Sequence, residues 1–261
     1  MADHSYVILV YKQSEFLEAC LESLIHQSEP SPIILSTSTP SEWLDKIARR
    51  YHVPIRVRTG KSAIADDWNF ALKQADTPYV TLAHQDDVYQ PGFGAAIKHD
   101  LYRYPDTLIH FTNYAEWIDG KVRTNNANLI IKRILLFPYY IKRSIRSKRM
   151  RKLCLSVGNP VSCPTVTYHR DRLQDFQFNQ DYTINLDWDA WIRLAEKEGR
   201  FIYHKPVLVW HRLYRASETS SGLQENRRQE DDRRIFQRLW PKSIASLLIY
   251  FYRLSYRSNE K

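Results

Sequence analysis

Residues 79–87 read YVTLAHQDD. The five residues Tyr79–Ala83 are apolar or β-favouring, too few for a helix, and run straight into His84-Gln85-Asp86-Asp87. A short apolar run bounded by polar residues has the pattern of a strand buried on both faces. The chain upstream repeats it. Residues 5–10 (SYVILV), 31–35 (SPIIL) and 55–58 (IRVR) read as three more short strands. Between them, apolar residues return at helical spacing. Phe16, Leu17, Cys20, Leu21, Leu24 and Ile25 form one set. Trp43, Leu44, Ile47 and Ala48 form a second behind a Ser41 cap, and Ile64, Trp68, Ala71, Leu72 and Ala75 a third. Strand and helix alternate four times in about 100 residues, which predicts βαβ units and a mostly parallel sheet flanked by helices. Open α/β sheets bind ligands beyond the carboxyl ends of their strands. Asp86-Asp87 stands at such an end.

Farther along, the pattern is less regular. Leu108–Asn113 and Pro164–His169 read as strands, and Trp117–Val122 as a hairpin turning at Asp119-Gly120. Trp188, Trp191, Ile192 and Ala195 predict a helix from about Asp189 to Glu198. Phe201–Tyr203 and Val207–His211 read as two strands, and 224–238 as a solvated charged helix. Residues 244–252 (IASLLIYFY) are apolar but too short to span a bilayer, which takes about 20 residues. The expected organisation is one domain over 1–220, carrying a basic insertion at 121–153, and a helical extension over 221–261.

With 261 residues, 43% hydrophobic and 26% charged, wholesale disorder is excluded. No secretory pattern opens the chain. Cys20, Cys154 and Cys163 form no CxxC pair, and their odd count points to a reducing compartment. Seven glycines leave no glycine-rich phosphate loop. The net charge of +9 asks for an anionic partner. Residues 121–152 hold eleven Lys or Arg and no acid, interleaved with Ile130, Ile131, Ile134, Leu135, Leu136, Phe137, Tyr139 and Tyr140. Such a stretch fits an anionic membrane surface, where each cation contributes about 1 kcal/mol. It equally fits a basic helix pair packed on the domain. No helix-turn-helix, zinc or RNA-binding signature accompanies the charge, so nucleic acid is not an expected partner.

Three places could carry chemistry. Asp86 and Asp87 could hold Mg2+ or Mn2+, hard cations that take oxygen ligands and share substrate phosphates. They could equally be acids at a helix start before Pro91. Asp187, in Asn185-Leu186-Asp187-Trp188-Asp189-Ala190-Trp191, could take a proton from a substrate hydroxyl. It or Asp189 could instead cap the helix. His211, in Trp210-His211-Arg212-Leu213-Tyr214-Arg215, could ligate a metal or be a satisfied polar group. Arg212 and Arg215 could grip a diphosphate.

The order of these pieces resembles the family 2 glycosyltransferases of the GT-A fold, a Rossmann-like nucleotide-diphospho-sugar transferase architecture. The matching pieces are Leu21–Gln27 (LESLIHQ), then Gly60 with Asp67-Trp68-Asn69 through Ala75, then His84–Asp87 with Pro91-Gly92-Phe93. Leu186–Leu194 (LDWDAWIRL) and Arg212 through Ser217 and Thr219 complete the series. The resemblance covers about residues 5–220. It implies that Asp86 binds the metal with help from Asp87 and His211, and that Asp187 is the general base. Tyr11, Ser36, Thr37, Asp67 and Asn69 would bind the nucleotide, with His84, Gln85 and Arg212 completing the donor site. Trp188 and Trp191 would flank the acceptor sugar, although their spacing also fits a core.

The sequence departs from the family pattern in four places. His84 stands for the first acid of the DxD motif, Ser36-Thr37-Ser38 for the acidic pair after the second strand, Leu186 for Glu, and Tyr214 for His. The expectation is a Mg2+- or Mn2+-dependent inverting transferase. It would move a sugar from a nucleotide-sugar donor to a glycan or lipid-linked saccharide, in surface polysaccharide synthesis. Its expected location is the cytoplasm, with 121–153 against the inner membrane face. The departures leave a second reading, a GT-A-like protein that binds nucleotide sugars or glycans without turnover.

Overall fold

The alternation in the first third of the chain becomes β1 (His4–Val10), α1 (Leu17–Ile25), β2 (Ile33–Thr37), α2 (Glu42–Tyr51), β3 (Ile55–Val57), α3 (Ile64–Leu72) and β4 (Tyr79–His84). The structure is a computed structural model that describes residues 3–214 and 222–259. There follow β5 (Val88–Tyr89), α4 (Phe93–Arg103), β6 (Thr107–Ile118), β7 (Lys121–Arg123), α5 (Ala127–Leu135), α6 (Phe137–Ile141), β8 (Ser144–Ile145) and α7 (Lys148–Leu155). The chain continues through β9 (Val166–His169), α8 (Leu186–Ala195), β10 (Arg200–Arg212), α9 (Gly222–Leu239) and α10 (Lys242–Asn259).

One sheet runs in the order β3-β2-β1-β4-β9-β6-β10-β5, with β7 added to β6 and β8 to β10. The four strands β3, β2, β1 and β4 are parallel, as are β6 and β10; β9 joins the two groups antiparallel to both neighbours. After β1 the chain steps outward to β2 and β3, then returns to the other side of β1 as β4. That reversal opens a crevice between the carboxyl ends of β1 and β4, where doubly wound sheets bind ligands. Tyr11 and His84–Asp87 line it.

Local chemistry holds this frame. Ser41 caps α2 by accepting the Leu44 N–H. Gln27 clamps the turn after Asp87, donating to the Gln90 carbonyl at 2.9 Å and accepting from the Gly94 N–H at 2.9 Å. Gly94 has no room for a side chain, since a Cβ would lie 2.7 Å from the Glu29 carbonyl. The Asp119-Gly120 hairpin forms as expected, with φ of 48° and 76°.

The structure differs from the sequence reading in four elements. The strands expected at 201–203 and 207–211 are one strand, β10. Pro206 lacks an N–H for the ladder, and the strand absorbs it with register shifts beside β6. The helix expected from Asp189 begins at Leu186. The helix at 224–238 is not solvated all round, because Ile235 and Phe236 are buried in the cluster that holds Trp188 and Trp191. The basic stretch is not a simple helical insertion: it also supplies β7 and β8 to the sheet. Four of its eleven cations are matched by acids distant in sequence. Arg143 pairs with Asp100, Arg146 with Asp106, Lys148 with Glu198 and Lys152 with Glu196. Arg151 is fully buried and donates to the carbonyls of Lys197 and Gly199.

Candidate active site

Gln85 ties the two strand ends of the crevice together. Its Oε1 accepts the Tyr11 N–H at 3.2 Å and its Nε2 donates to the Tyr11 carbonyl at 3.0 Å. Asp86 is thereby presented at the rim. The Ser14 hydroxyl donates to its Oδ1 and the Tyr214 hydroxyl to its Oδ2, each at 2.9 Å. Asp87 points inward and is buried. Its Oδ1 accepts the Arg212 N–H and meets His211 Nδ1, both at 2.9 Å. Its Oδ2 is buried without a partner among the described residues.

Charge and burial set the protonation of the two imidazoles. Burial holds His84 below its ordinary pKa, against the nearby Asp87 carboxylate, and its Nε2 is a second buried orphan. Burial also pulls His211 down, but the Asp87 charge and hydrogen bond outweigh it, so its pKa ends above the ordinary value. Arg212 donates from Nε to the Asp86 carbonyl at 3.0 Å. Its guanidinium lies 3.8 Å from the Trp117 ring centre and 4.1 Å from that of Phe16, which fixes its plane.

On the β2 side, Ser36 and Thr37 are buried at the strand end. Asp67 gathers Arg58 Nε at 2.6 Å and the hydroxyls of Ser38 and Ser62 at 3.0 and 2.8 Å. A serine where an acid was expected is consistent with this arrangement, since Asp67 supplies the negative charge there from α3.

Asp187 is partly buried at the first turn of α8. Its Oδ1 accepts the Trp188 N–H at 2.7 Å and its Oδ2 accepts from Asn159 Nδ2 at 2.9 Å. Burial raises its pKa, opposed by those two donors and by the charges of Lys132 and Arg228. The charges of both Asp187 and Asp87 act on the buried Cys163, and that of Lys132 on both Asp187 and His211. Neither Asp187 nor Asp189 caps the three residues that lead into α8. Asp231 of α9 does, its Oδ2 accepting the N–H groups of Thr183, Ile184 and Asn185 at 3.0, 2.8 and 3.1 Å. Asp189 is buried between Arg193 and Arg238.

Three of the expected contacts are corrected. Trp188 and Trp191 do not flank an acceptor, because both are buried in the core; Trp188 packs against Phe236 and donates to the Leu155 carbonyl. Asn69 does not reach toward the crevice. Its amide is spent on the backbone of Phe178, donating to the carbonyl at 3.0 Å and accepting the N–H at 2.7 Å. Arg215, Ser217 and Thr219 lie outside the described residues. Sequence reading missed Ser14, Arg58, Lys132 and Asn159. Single polar residues in loops and helices carry no periodic signal.

In kind, the donors of Asp86, Asp87 and His211 suit a divalent cation, but among the described residues the group of three whose ligand atoms lie within 4.8 Å of one another is elsewhere, at Asp100, His110 and His204. Asp86 carries two carboxylate oxygens held only by neutral hydroxyls. Asp87 spends its Oδ1 on His211 Nδ1, the carboxylate–histidine pairing that orients a ligating imidazole. Its other oxygen lacks a partner among the described residues. Oxygen ligands beside a diphosphate suit Mg2+ or Mn2+.

Comparison with known proteins agrees with this fold. The family described as Glycosyl transferase family 2 matches residues 5–171. No curated protein matches the chain. Among solved structures, Staphylococcus aureus TarS 1–349 is 13% identical with a TM-score of 0.63, over 89% of this chain and 64% of that one. The same protein in complex with UDP-GlcNAc is 15% identical with a TM-score of 0.64, over 89% and 65%. The mannosyltransferase PcManGT from Pyrobaculum calidifontis, in complex with GDP-Man and Mn2+, is 13% identical with a TM-score of 0.63, over 91% and 64%. At these identities the likeness is one of fold, and the chain spans less than two thirds of each of these structures.

Proposed function

The chain belongs to glycosyl transferase family 2, and from that premise we propose that it moves a sugar, with inversion, from a nucleotide-sugar donor to a saccharide hydroxyl. The observation that carries this is the pairing of Asp87, after β4, with His211 and the Arg212 N–H at the end of β10, with Asp86 presented at the rim beside it.

In this reading Asp86 and His211 hold Mg2+ or Mn2+ while Asp87 orients His211. Neutralising charge on the departing diphosphate is the chemistry that such a cation supplies. Tyr11 and the Asp67 cluster with Arg58 and Ser38 face the nucleoside, and Arg212 faces the diphosphate. The acceptor oxygen attacks the anomeric carbon, the bond to the diphosphate oxygen breaks, and the hydroxyl proton passes to Asp187. Each Asp187 oxygen accepts one hydrogen bond and keeps a further lone pair for that proton. Burial raises the pKa of the carboxyl, which makes the Asp187 carboxylate a stronger base than an exposed one.

The acceptor is a lipid-linked saccharide of a surface polysaccharide, presented at a membrane. No helix among the described residues is long and apolar enough to cross one. Yet Ile134 of α5 is 65% exposed, and Phe137 and Ile141 of α6 are 61% and 77% exposed. Lys142 and Arg149, beside them in sequence, have no ion-pair partner among the described residues. Apolar side chains with nearby cations suit the head-group region of an anionic bilayer.

The test is a panel of UDP-, GDP- and dTDP-sugars with Mn2+, scored for transfer and for slow donor hydrolysis. One donor should be consumed, and its consumption should stop with chelator. If a member of the panel is bound but none is consumed, the transferase reading fails and the binding protein without turnover replaces it; if none is bound, nucleotide-sugar binding fails as well.

A further inference from the structure

A second cluster of metal-ligating side chains lies outside this site. Asp100 on α4 and His110 on β6 are fully buried, and His204 on β10 joins them at the edge of the core. One ligand atom from each lies within 4.8 Å of the others. Asp100 Oδ2 is 3.2 Å from His110 Nε2 and 3.5 Å from His204 Nδ1. A tetrahedral zinc centre has bonds of about 2.0–2.2 Å, which places neighbouring donors roughly 3.3–3.5 Å apart. The second distance is long for a hydrogen bond but suits two ligands of one ion.

We propose that Asp100, His110 and His204 form a structural site for a zinc-class divalent ion, separate from the catalytic cation. Two imidazoles and one carboxylate suit zinc and its neighbours rather than Mg2+. Asp100 Oδ2 faces both imidazoles. Arg143 and His99 approach the other oxygen, Oδ1.

The position argues for a structural ion. His204 and His211 are seven residues apart on β10, or roughly 20 Å at about 3.3 Å per residue. The ion would tie α4 to β6 and β10, the strand pair that carries His211.

The experiment uses the full chain after chelator treatment and dialysis, titrated with Co2+ alone and with Zn2+ alone. Co2+ should give visible absorption of a tetrahedral centre that saturates at one equivalent, and Zn2+ should bleach it and raise the melting temperature. Asp86→Ala should leave the signal intact, which separates this ion from the catalytic one. His204→Ala, at a partly exposed position, should weaken Co2+ binding by more than the 10–100-fold that an outer-shell partner is worth. Asp100→Asn keeps the side-chain shape and a group for Arg143, and should do the same. Absence of a tetrahedral spectrum in the folded protein overturns the site. So does a spectrum that survives both substitutions, or one abolished by Asp86→Ala.

Discussion

Asp187 makes two bonds that a cap would not make. It holds its own neighbour's N–H and the Asn159 amide, while Asp231 serves the residues leading into α8. Base and support are therefore separable at this residue. Asp187→Asn should keep the melting temperature and the nucleotide affinity, because an amide oxygen still accepts the Trp188 N–H. Transfer should fall about 10²–10⁴-fold, the usual contribution of a positioned base. Single-turnover transfer with pre-bound donor measures this, and a rate near wild type would leave Asp187 without a chemical role. Asn159 offers a finer test. Its donated hydrogen bond lowers the Asp187 pKa against the rise that burial imposes. A base works when ionised, so activity falls as pH drops through that pKa. Asn159→Leu should raise the pKa further and move the acid limb of the rate profile to higher pH. An unmoved limb would mean that another group titrates.

At the scale of elements, α9 holds the backbone leading into α8 through one carboxylate, with Asp232 on the Asn185 amide and Arg238 on Asp189 beside it. Asp231 is buried and satisfies three consecutive backbone donors. Asp231→Ala leaves those donors unpaired, at a cost of about 1–3 kcal/mol for a buried group. Urea unfolding should show a lower midpoint with an unchanged slope. The helices α5 and α6 belong to the membrane question. Much of the local basic charge is answered by Asp100, Asp106, Glu196 and Glu198, so exposed apolar groups have to contribute. Phe137→Glu with Ile141→Glu should abolish sedimentation with anionic vesicles while leaving donor hydrolysis intact. The remaining charge should make wild-type binding weaken as salt rises, since exposed charges are screened beyond a Debye length of about 8–10 Å. Equal binding to neutral vesicles, or binding unchanged in the variant, would refute the assignment.

Across the whole molecule, the proposed nucleotide site joins strand ends from both parts of the sheet, so its occupation would bear on global stability. A ligand of the folded state raises stability by RT ln(1 + [L]/Kd), about 2.7 kcal/mol at a hundredfold excess over Kd. UDP or GDP with Mn2+ should raise the melting temperature of wild type well above either component alone. Asp86→Ala should lose the synergy and keep the unliganded melting temperature. Equal synergy in the variant would place the cation elsewhere.

The part of the molecule built from local signals was legible in the sequence. The strands β1 to β4, their connecting helices and the acids after β4 follow from period-2 and period-3.6 patterning and short apolar runs. The Asp119-Gly120 turn follows from the positive φ that such a pair tolerates. Tertiary structure decided what depends on partners distant in the chain. Trp188 and Trp191 have the same spacing whether they face a sugar or a core, and the face was settled when Phe236 of α9 packed on it. Asn69 looked free until Phe178, 109 residues away, took both ends of its amide. A stretch of eleven cations without an acid reads as unpaired charge, yet four of them find acids that lie within or just after α4 and just after α8. Periodicity reports which side of an element is apolar. Which group meets it is decided by long-range packing, where burial forces polar atoms to find partners regardless of their place in the sequence.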